Sequence, residues 1–152
     1  MKPRFDYAKA APEVLQAQLA LSHFSRDTGL EPSLQELVKT RASQLNGCAY
    51  CLEMHTRDAR AAGETEARLY LLPAWRESPL YTERERAALA WTEAVTLVAD
   101  SHVPDDVYAQ ARGQFSEAEL VKLTLSVAVI NTWNRFAIAF RALHPVPKPP
   151  AA

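Results

Sequence analysis

The sequence predicts an all-α fold, a single domain built as a bundle of about six to seven helices. Three observations carry this expectation. Apolar residues recur at intervals of three and four through most of the chain, Pro, Gly and capping residues punctuate those stretches at helix-length spacing, and no two-residue alternation persists. No internal repeat is visible, which sets aside a solenoid and leaves helix packed on helix. At 152 residues, 48% hydrophobic and 23% charged, the chain is long enough to bury a core of its own. The expected organisation is a lead-in and first helix over 1–31, a core over 32–143 and a Pro-rich tail over 144–152.

Each element has its own justification. Residues 1–11 read as a loose lead-in. Pro12 suits the first position of a helix through about Ser25, with Val14, Leu15, Leu19 and Phe24 at helical spacing and Gly29 closing it. Pro32 opens a second helix over 34–45, where Leu34, Leu37, Val38 and Leu45 form one face and Glu36 lies beside it. Asn46-Gly47 is a helix stop, and a third helix is expected over 48–63, ending at Gly63. A short helix over 64–72 should stop at Pro73, with a turn-rich connection over 73–81. Thr82 and Glu85 have capping-box spacing and open a helix to about Ala99. Residues 100–103 read as loop, and Pro104 starts a helix ending near Gly113. Ser116 and Glu119 form a second capping box ahead of the longest helix, 117–143, whose Leu120, Leu123, Val127, Ile130, Phe136 and Phe140 should wall the core. The tail PVPKPPAA cannot be helical and reads as extended.

Charge and composition bound the function. A formal net charge of −1 offers no electrostatic case for nucleic acid or an anionic membrane surface. The first residues lack the apolar centre of a secretory signal, and no apolar run reaches membrane length. The expected location is a reducing cytoplasm, where two cysteines in CxxC spacing serve redox or metal chemistry sooner than a structural bridge.

The chemistry concentrates in 36–55. Cys48 and Cys51 are the only cysteines, and His55 follows Cys51 by four positions. On one helix Cys51 and His55 point within about 60° and about 20° of Cys48, so the three share a face. Glu36 would sit about 120° off on an unbroken helix. A turn at Asn46-Gly47 would instead fold the two helices together and bring the carboxylate to the imidazole. Thiols in a first helical turn or beside a protonatable His lose their proton more readily, and a carboxylate behind the imidazole would orient it. Cysteines three apart on a helix also fall within disulfide reach.

Glu36, eleven intervening residues, Cys48-x-x-Cys51, three more residues and His55 together resemble the signature of the alkylhydroperoxidase AhpD-like proteins in the carboxymuconolactone decarboxylase superfamily. The resemblance runs from about Leu34 to Arg141 and includes the late stretch VINTWNRFAIAFR. It implies an AhpD-like helical bundle and an antioxidant peroxidase. In this scheme Cys51 attacks the hydroperoxide, Cys48 closes a redox-active disulfide, and His55 and Glu36 relay protons. It further implies an external dithiol reductant, lipoylated or thioredoxin-like, and assembly into homotrimers or hexamers. No metal or organic cofactor is expected. One position departs from the pattern: the best-known members carry a second His just before the later cysteine, where this chain has Tyr50.

Other readings compete at the same residues. The cysteines could be small buried hydrophobes. A zinc site would find three ligands in CxxC plus His55, but His23, His102 and His144 lack ligand spacing. The CxxC could serve a dithiol-disulfide oxidoreductase or a redox sensor without turnover, whereas a lactone decarboxylase has no need of it. Tyr50 is expected to pack or make a subunit contact, and Arg41 to be a solvated charge. Asn134 needs a partner if buried, through an interhelix hydrogen bond or a place in the pocket wall.

Overall fold

The computed structural model describes residues 2–145, so most of the Pro-rich tail over 144–152 lies outside the described residues. Among the described residues the fold is all-α, with nine α-helices and one 3-10 turn and no strand, somewhat more pieces than the six or seven expected. The helices are α1 (Tyr7–Ala10), α2 (Pro12–Arg26), α3 (Pro32–Asn46), α4 (Ala49–Ala61), α5 (Glu66–Leu71), α6 (Glu83–Thr96), α7 (Val98–Ser101), α8 (Asp105–Arg112) and α9 (Glu117–Phe140). No helix among them is long and apolar enough to cross a membrane.

The start signals work as the sequence suggests. Thr82 and Ser116 each cap a helix through the hydroxyl while Glu85 and Glu119 reach back to the cap N–H, so both capping boxes are complete. Some boundaries differ. The lead-in contains α1, because Asp6 accepts the N–H groups of Ala8 and Lys9, and Phe5 and Tyr7 stack against Phe136 and Phe140 of α9. The short helix α5 ends at Leu71, ahead of Pro73 as expected, and Pro73 sits in the 3-10 turn Leu72–Ala74, where its missing N–H costs nothing. Residues Val98–Ser101 form a helical turn before the chain bends through His102 and Val103, both at positive φ. Finally, α9 ends at Phe140 and not near 143. Arg141 takes a left-handed conformation at φ 56°, and Ala142 donates to the Ala137 carbonyl in a Schellman-type closure.

α3, α6 and α9 form the centre of the bundle. Leu34 and Val38 of α3 pack with Ala88 and Trp91 of α6 and Leu123 and Val127 of α9 in one buried cluster. A second cluster joins Leu37 to Leu72, Trp75, Tyr81 and Leu89. Each such leucine contributes about 1.5–3 kcal/mol by leaving water. Phe136 and Phe140 lie only partly buried, at the α1 end of α9. α2 is the outlier. It leans on α9 through Leu15, Gln18 and Ser22, while Val14, Leu19, Leu21 and Phe24 stay exposed. Its apolar stripe therefore does not seal the core as its spacing suggested.

Candidate active site

α3 and α4 form an antiparallel hairpin, and its turn places the chemistry. Gly47 sits at φ 68° and ψ 34°, the left-handed region that glycine enters without penalty, and closes α3 with its own N–H on the Gln44 carbonyl. Cys48 follows in extended conformation and is the N-cap of α4, one residue before the helix expected to begin there. Its sulfur does what a capping oxygen does elsewhere, accepting the backbone N–H of Cys51 at 3.4 Å.

The hairpin joins the four predicted residues as two pairs, Glu36 with His55 and Cys48 with Cys51. Glu36 Oε2 lies 2.8 Å from His55 Nδ1, and Glu36 Oε1 lies 3.0 Å from Lys39 Nζ. Burial opposes charge on Glu36, yet the hydrogen bond and charge of His55 and the Lys39 ammonium hold its carboxyl at about 2, down from 4.5. An ionised Glu36 accepts a hydrogen bond from the Nδ1–H of the ring, which leaves Nε2 facing away from it. Cys48 Sγ and Cys51 Sγ lie 2.8 Å apart as free thiols, both buried. Neither sulfur is hydrogen-bonded to the imidazole among the described residues.

The thiols divide unequally, where their shared first turn had suggested that both would acidify. The Cys51 thiol donates to Cys48, and together with the Cys51 N–H and the Asn134 amide it brings Cys48 down to about 7 against the desolvation of a buried site. The same contact pushes the Cys51 thiol up, aided by burial and by the charge a Cys48 thiolate would carry. The first proton leaves the pair easily and the second does not.

Asn134 is completely buried, and its amide also donates to Ser43 Oγ at 3.1 Å while its carbonyl accepts from Asn46 at 2.8 Å. The interhelix bond is the reading that holds: Asn134 lines neither sulfur's cavity, although its amide lies close enough to lower the pKa of both thiols. Asn46, read as a stop signal, bridges Asn134 and Asn131 of α9 and ties the turn to the central helix. Nothing in its spacing announces this role. Arg41 is not a solvated charge: its Nε lies 2.9 Å from Glu93 Oε1, which also accepts Trp75 Nε1 at 2.7 Å. It holds α3 to α6 and does not act on the thiols.

Each sulfur borders its own cavity. Cys51 lines one of about 380 Å³ between α2, α4 and α9, with Tyr7, His23, Met54 and Trp133. Cys48 lines another of about 240 Å³ beside Ile138 and Arg141. Tyr50 and Ala137 border both. Tyr7, missed within a lead-in read as loose, belongs to the Cys51 cavity, and burial and the nearby Tyr50 and Cys51 raise its phenol pKa. Among the described residues no group of three or more His, Cys, Asp or Glu side chains could hold a metal ion.

Comparison with known proteins agrees with this geometry. The sequence model of the carboxymuconolactone decarboxylase family matches residues 12–94, a span that includes Glu36, Cys48, Cys51 and His55. The uncharacterized protein YdfG of Bacillus subtilis is 41% identical over 139 residues, covering 91% of this chain and 95% of that protein. A crystal structure from Agrobacterium tumefaciens, of a protein of unknown function described as a candidate antioxidant defence protein AhpD, superposes with a TM-score of 0.94 at 47% identity, over 96% of this chain and 100% of that one. The debrominase Bmp8 shares the fold alone, with a TM-score of 0.81 at 20% identity over 90% of this chain and 74% of its own. A relative of near-equal length and a solved neighbour matching almost residue for residue in space lead to one assignment: the chain is a member of the carboxymuconolactone decarboxylase family, of the AhpD-like kind.

Proposed function

We propose that the protein is a thiol-dependent peroxidase that reduces hydroperoxides through a Cys48–Cys51 dithiol cycle, in antioxidant defence. The observation that carries this reading is the 2.8 Å contact between two free thiols, one of them held near neutrality, beside the Glu36–His55 pair. In the reduced site one proton passes to His55 through a water, since no direct thiol–imidazole bond exists, and Glu36 supports the imidazolium. The single thiolate is shared across the sulfur contact. When it rests on Cys51, it attacks the terminal oxygen of ROOH: the O–O bond breaks, Cys51 becomes a sulfenic acid, and the departing alkoxide takes the imidazolium proton to give ROH. The Cys48 thiol then attacks the sulfenic sulfur, forming the disulfide and releasing water. An external dithiol, lipoylated or thioredoxin-like, reduces the disulfide by thiol exchange. It enters on the Cys48 side, where that sulfur borders its own cavity. The cycle uses no metal or organic cofactor and operates in the cytoplasm. The exposed Leu21 and Phe24 of α2, outside both cavities, support assembly into the trimers or hexamers that the AhpD-like resemblance implies.

The test compares hydrogen peroxide and organic hydroperoxides in stopped flow against the parent, Cys51→Ser and Cys48→Ser. Consumption is expected to vanish in Cys51→Ser, and Cys48→Ser should accumulate a sulfenic acid that dimedone labels. Equal turnover by Cys51→Ser and the parent discards the mechanism. The Cys48 thiol held at about 7 favours a second reading, a dithiol-disulfide oxidoreductase whose nucleophile is Cys48. Rapid insulin reduction with negligible peroxide turnover would select it.

A further inference from the structure

The Cys51 cavity is much larger than hydrogen peroxide needs. It adjoins a second cavity of about 300 Å³, and Tyr7, Leu15 and Trp133 line both. Each holds roughly ten times the ~30 Å³ that a water molecule occupies in the liquid. The second cavity is walled by side chains such as Phe5, Val14, Phe136 and Phe140, with Gln18 its one amide and no charged group. The two lie end to end along α2, from Val14 to Arg26, a run of about 18 Å at 1.5 Å per helical residue.

The charge of this compartment is one-sided. No carboxylate lines either cavity, whereas Arg26 and His23 both line the Cys51 cavity at the α2 C-terminal end. Among the described residues the Arg26 guanidinium has no hydrogen-bond or carboxylate partner, although most other arginines of the chain are paired. An elongated apolar compartment with a cationic group at one end and a nucleophilic sulfur in its wall complements one ligand shape, a long hydrocarbon with an anionic head.

Resting on the peroxidase reading above, we propose that the paired cavities bind a long-chain fatty-acid hydroperoxide, with its carboxylate on Arg26 and His23 and its peroxide group at Cys51. The remaining hydrocarbon runs past Trp133 into the cavity beneath Phe140. The reaction is the one already balanced, with ROOH a hydroperoxy fatty acid and ROH the hydroxy acid. Arg26 is a positioning residue, and Leu15 with Trp133 forms the neck between head and tail.

Binding is tested without turnover, by calorimetry with oleate and methyl oleate on the reduced full-length protein, the parent against Arg26→Ala and Leu15→Trp. Turnover is read separately with linoleic acid hydroperoxide and tert-butyl hydroperoxide. Oleate should bind the parent more tightly than its methyl ester by about fivefold, the scale of an exposed charge pair, and Arg26→Ala should erase that preference. Filling the neck in Leu15→Trp should weaken both probes, and kcat/KM should favour linoleic acid hydroperoxide over tert-butyl hydroperoxide in the parent. Absence of oleate binding overturns the proposal, as does a carboxylate preference that survives Arg26→Ala. If tert-butyl hydroperoxide is consumed while oleate does not bind, this inference fails and the peroxidase reading stands. If oleate binds with the Arg26 dependence while neither hydroperoxide is consumed, the binding site stands and the peroxidase reading fails.

Discussion

As a thiolate, Cys48 accepts from Cys51 twice, through the thiol with the sulfurs 2.8 Å apart and through the backbone N–H at 3.4 Å. The asymmetry follows from the turn. Cys48 is the N-cap, so its sulfur looks along the first free N–H groups of α4, whereas Cys51 lies inside the helix and has only its own thiol to offer.

Thiolate ultraviolet absorbance should therefore show a single thiolate forming with a midpoint of about 7, and a second forming only far above it. Cys51→Ala removes the thiol donor but keeps the backbone N–H, so the Cys48 midpoint should move up toward the ordinary 9.0. A midpoint in Cys51→Ala equal to that of the parent would mean that the sulfur contact does not acidify the site.

Glu36 makes stability depend on acid. Its folded carboxyl is held at about 2 against 4.5, so the folded state binds the proton more weakly than the unfolded chain. A lowered carboxyl stabilises the fold fully above 4.5 and loses that contribution as pH falls toward 2. The contribution at neutral pH is on the order of 2–3 kcal/mol. Urea unfolding of the parent should weaken between these limits by more than that of Glu36→Gln, which has no proton to take up. Parallel pH dependences would show that the ion pair adds nothing.

Two glycines should respond to alanine with opposite signs. At Gly47 a Cβ meets no atom within 4 Å, but φ is 68°, so Gly47→Ala should destabilise by about 1 kcal/mol through the backbone alone. Gly113 lies at φ −68° and ψ −19°, with its nearest would-be contact the Gln110 carbonyl at 3.4 Å. Gly113→Ala should stabilise by about 0.5 kcal/mol by restricting the unfolded chain. Thermal unfolding reads both, and a shared sign would contradict the assigned conformations.

Legibility in the sequence tracked locality. The capping boxes, the prolines opening α2 and α3 and the Gly47 turn are written in residues a few positions apart, and they put Glu36 beside His55 as the spacing required. What stayed hidden depends on partners distant in sequence. Asp6 caps α1, but the packing that holds α1 comes from α9, more than a hundred residues on. Arg41 looked solvated because Glu93 is invisible from α3. The unequal thiols depend on which way a sulfur points at a helix start, which residue spacing does not encode.

Asn134 carries the coupling between the site and the core. Its amide donates to Ser43 Oγ at 3.1 Å and lowers the pKa of both thiols, and its carbonyl accepts from Asn46 at 2.8 Å, all with no exposure to water. Asn134→Leu fills similar space but removes the amide that lowers the thiols' pKa and leaves the Ser43 hydroxyl without its partner. Asn46 retains Asn131 at 2.9 Å, which limits the loss. The net cost should be about 2–3 kcal/mol, the scale of leaving buried polar groups unsatisfied. The Cys48 midpoint should rise in the same variant. Ser43→Ala separates the two effects: it removes one acceptor of the amide and not its contact with sulfur, so it should cost about 1 kcal/mol and leave the thiol titration in place. If Ser43→Ala moves the thiol midpoint as far as Asn134→Leu does, the amide acts on the sulfurs only by holding α3 against α9.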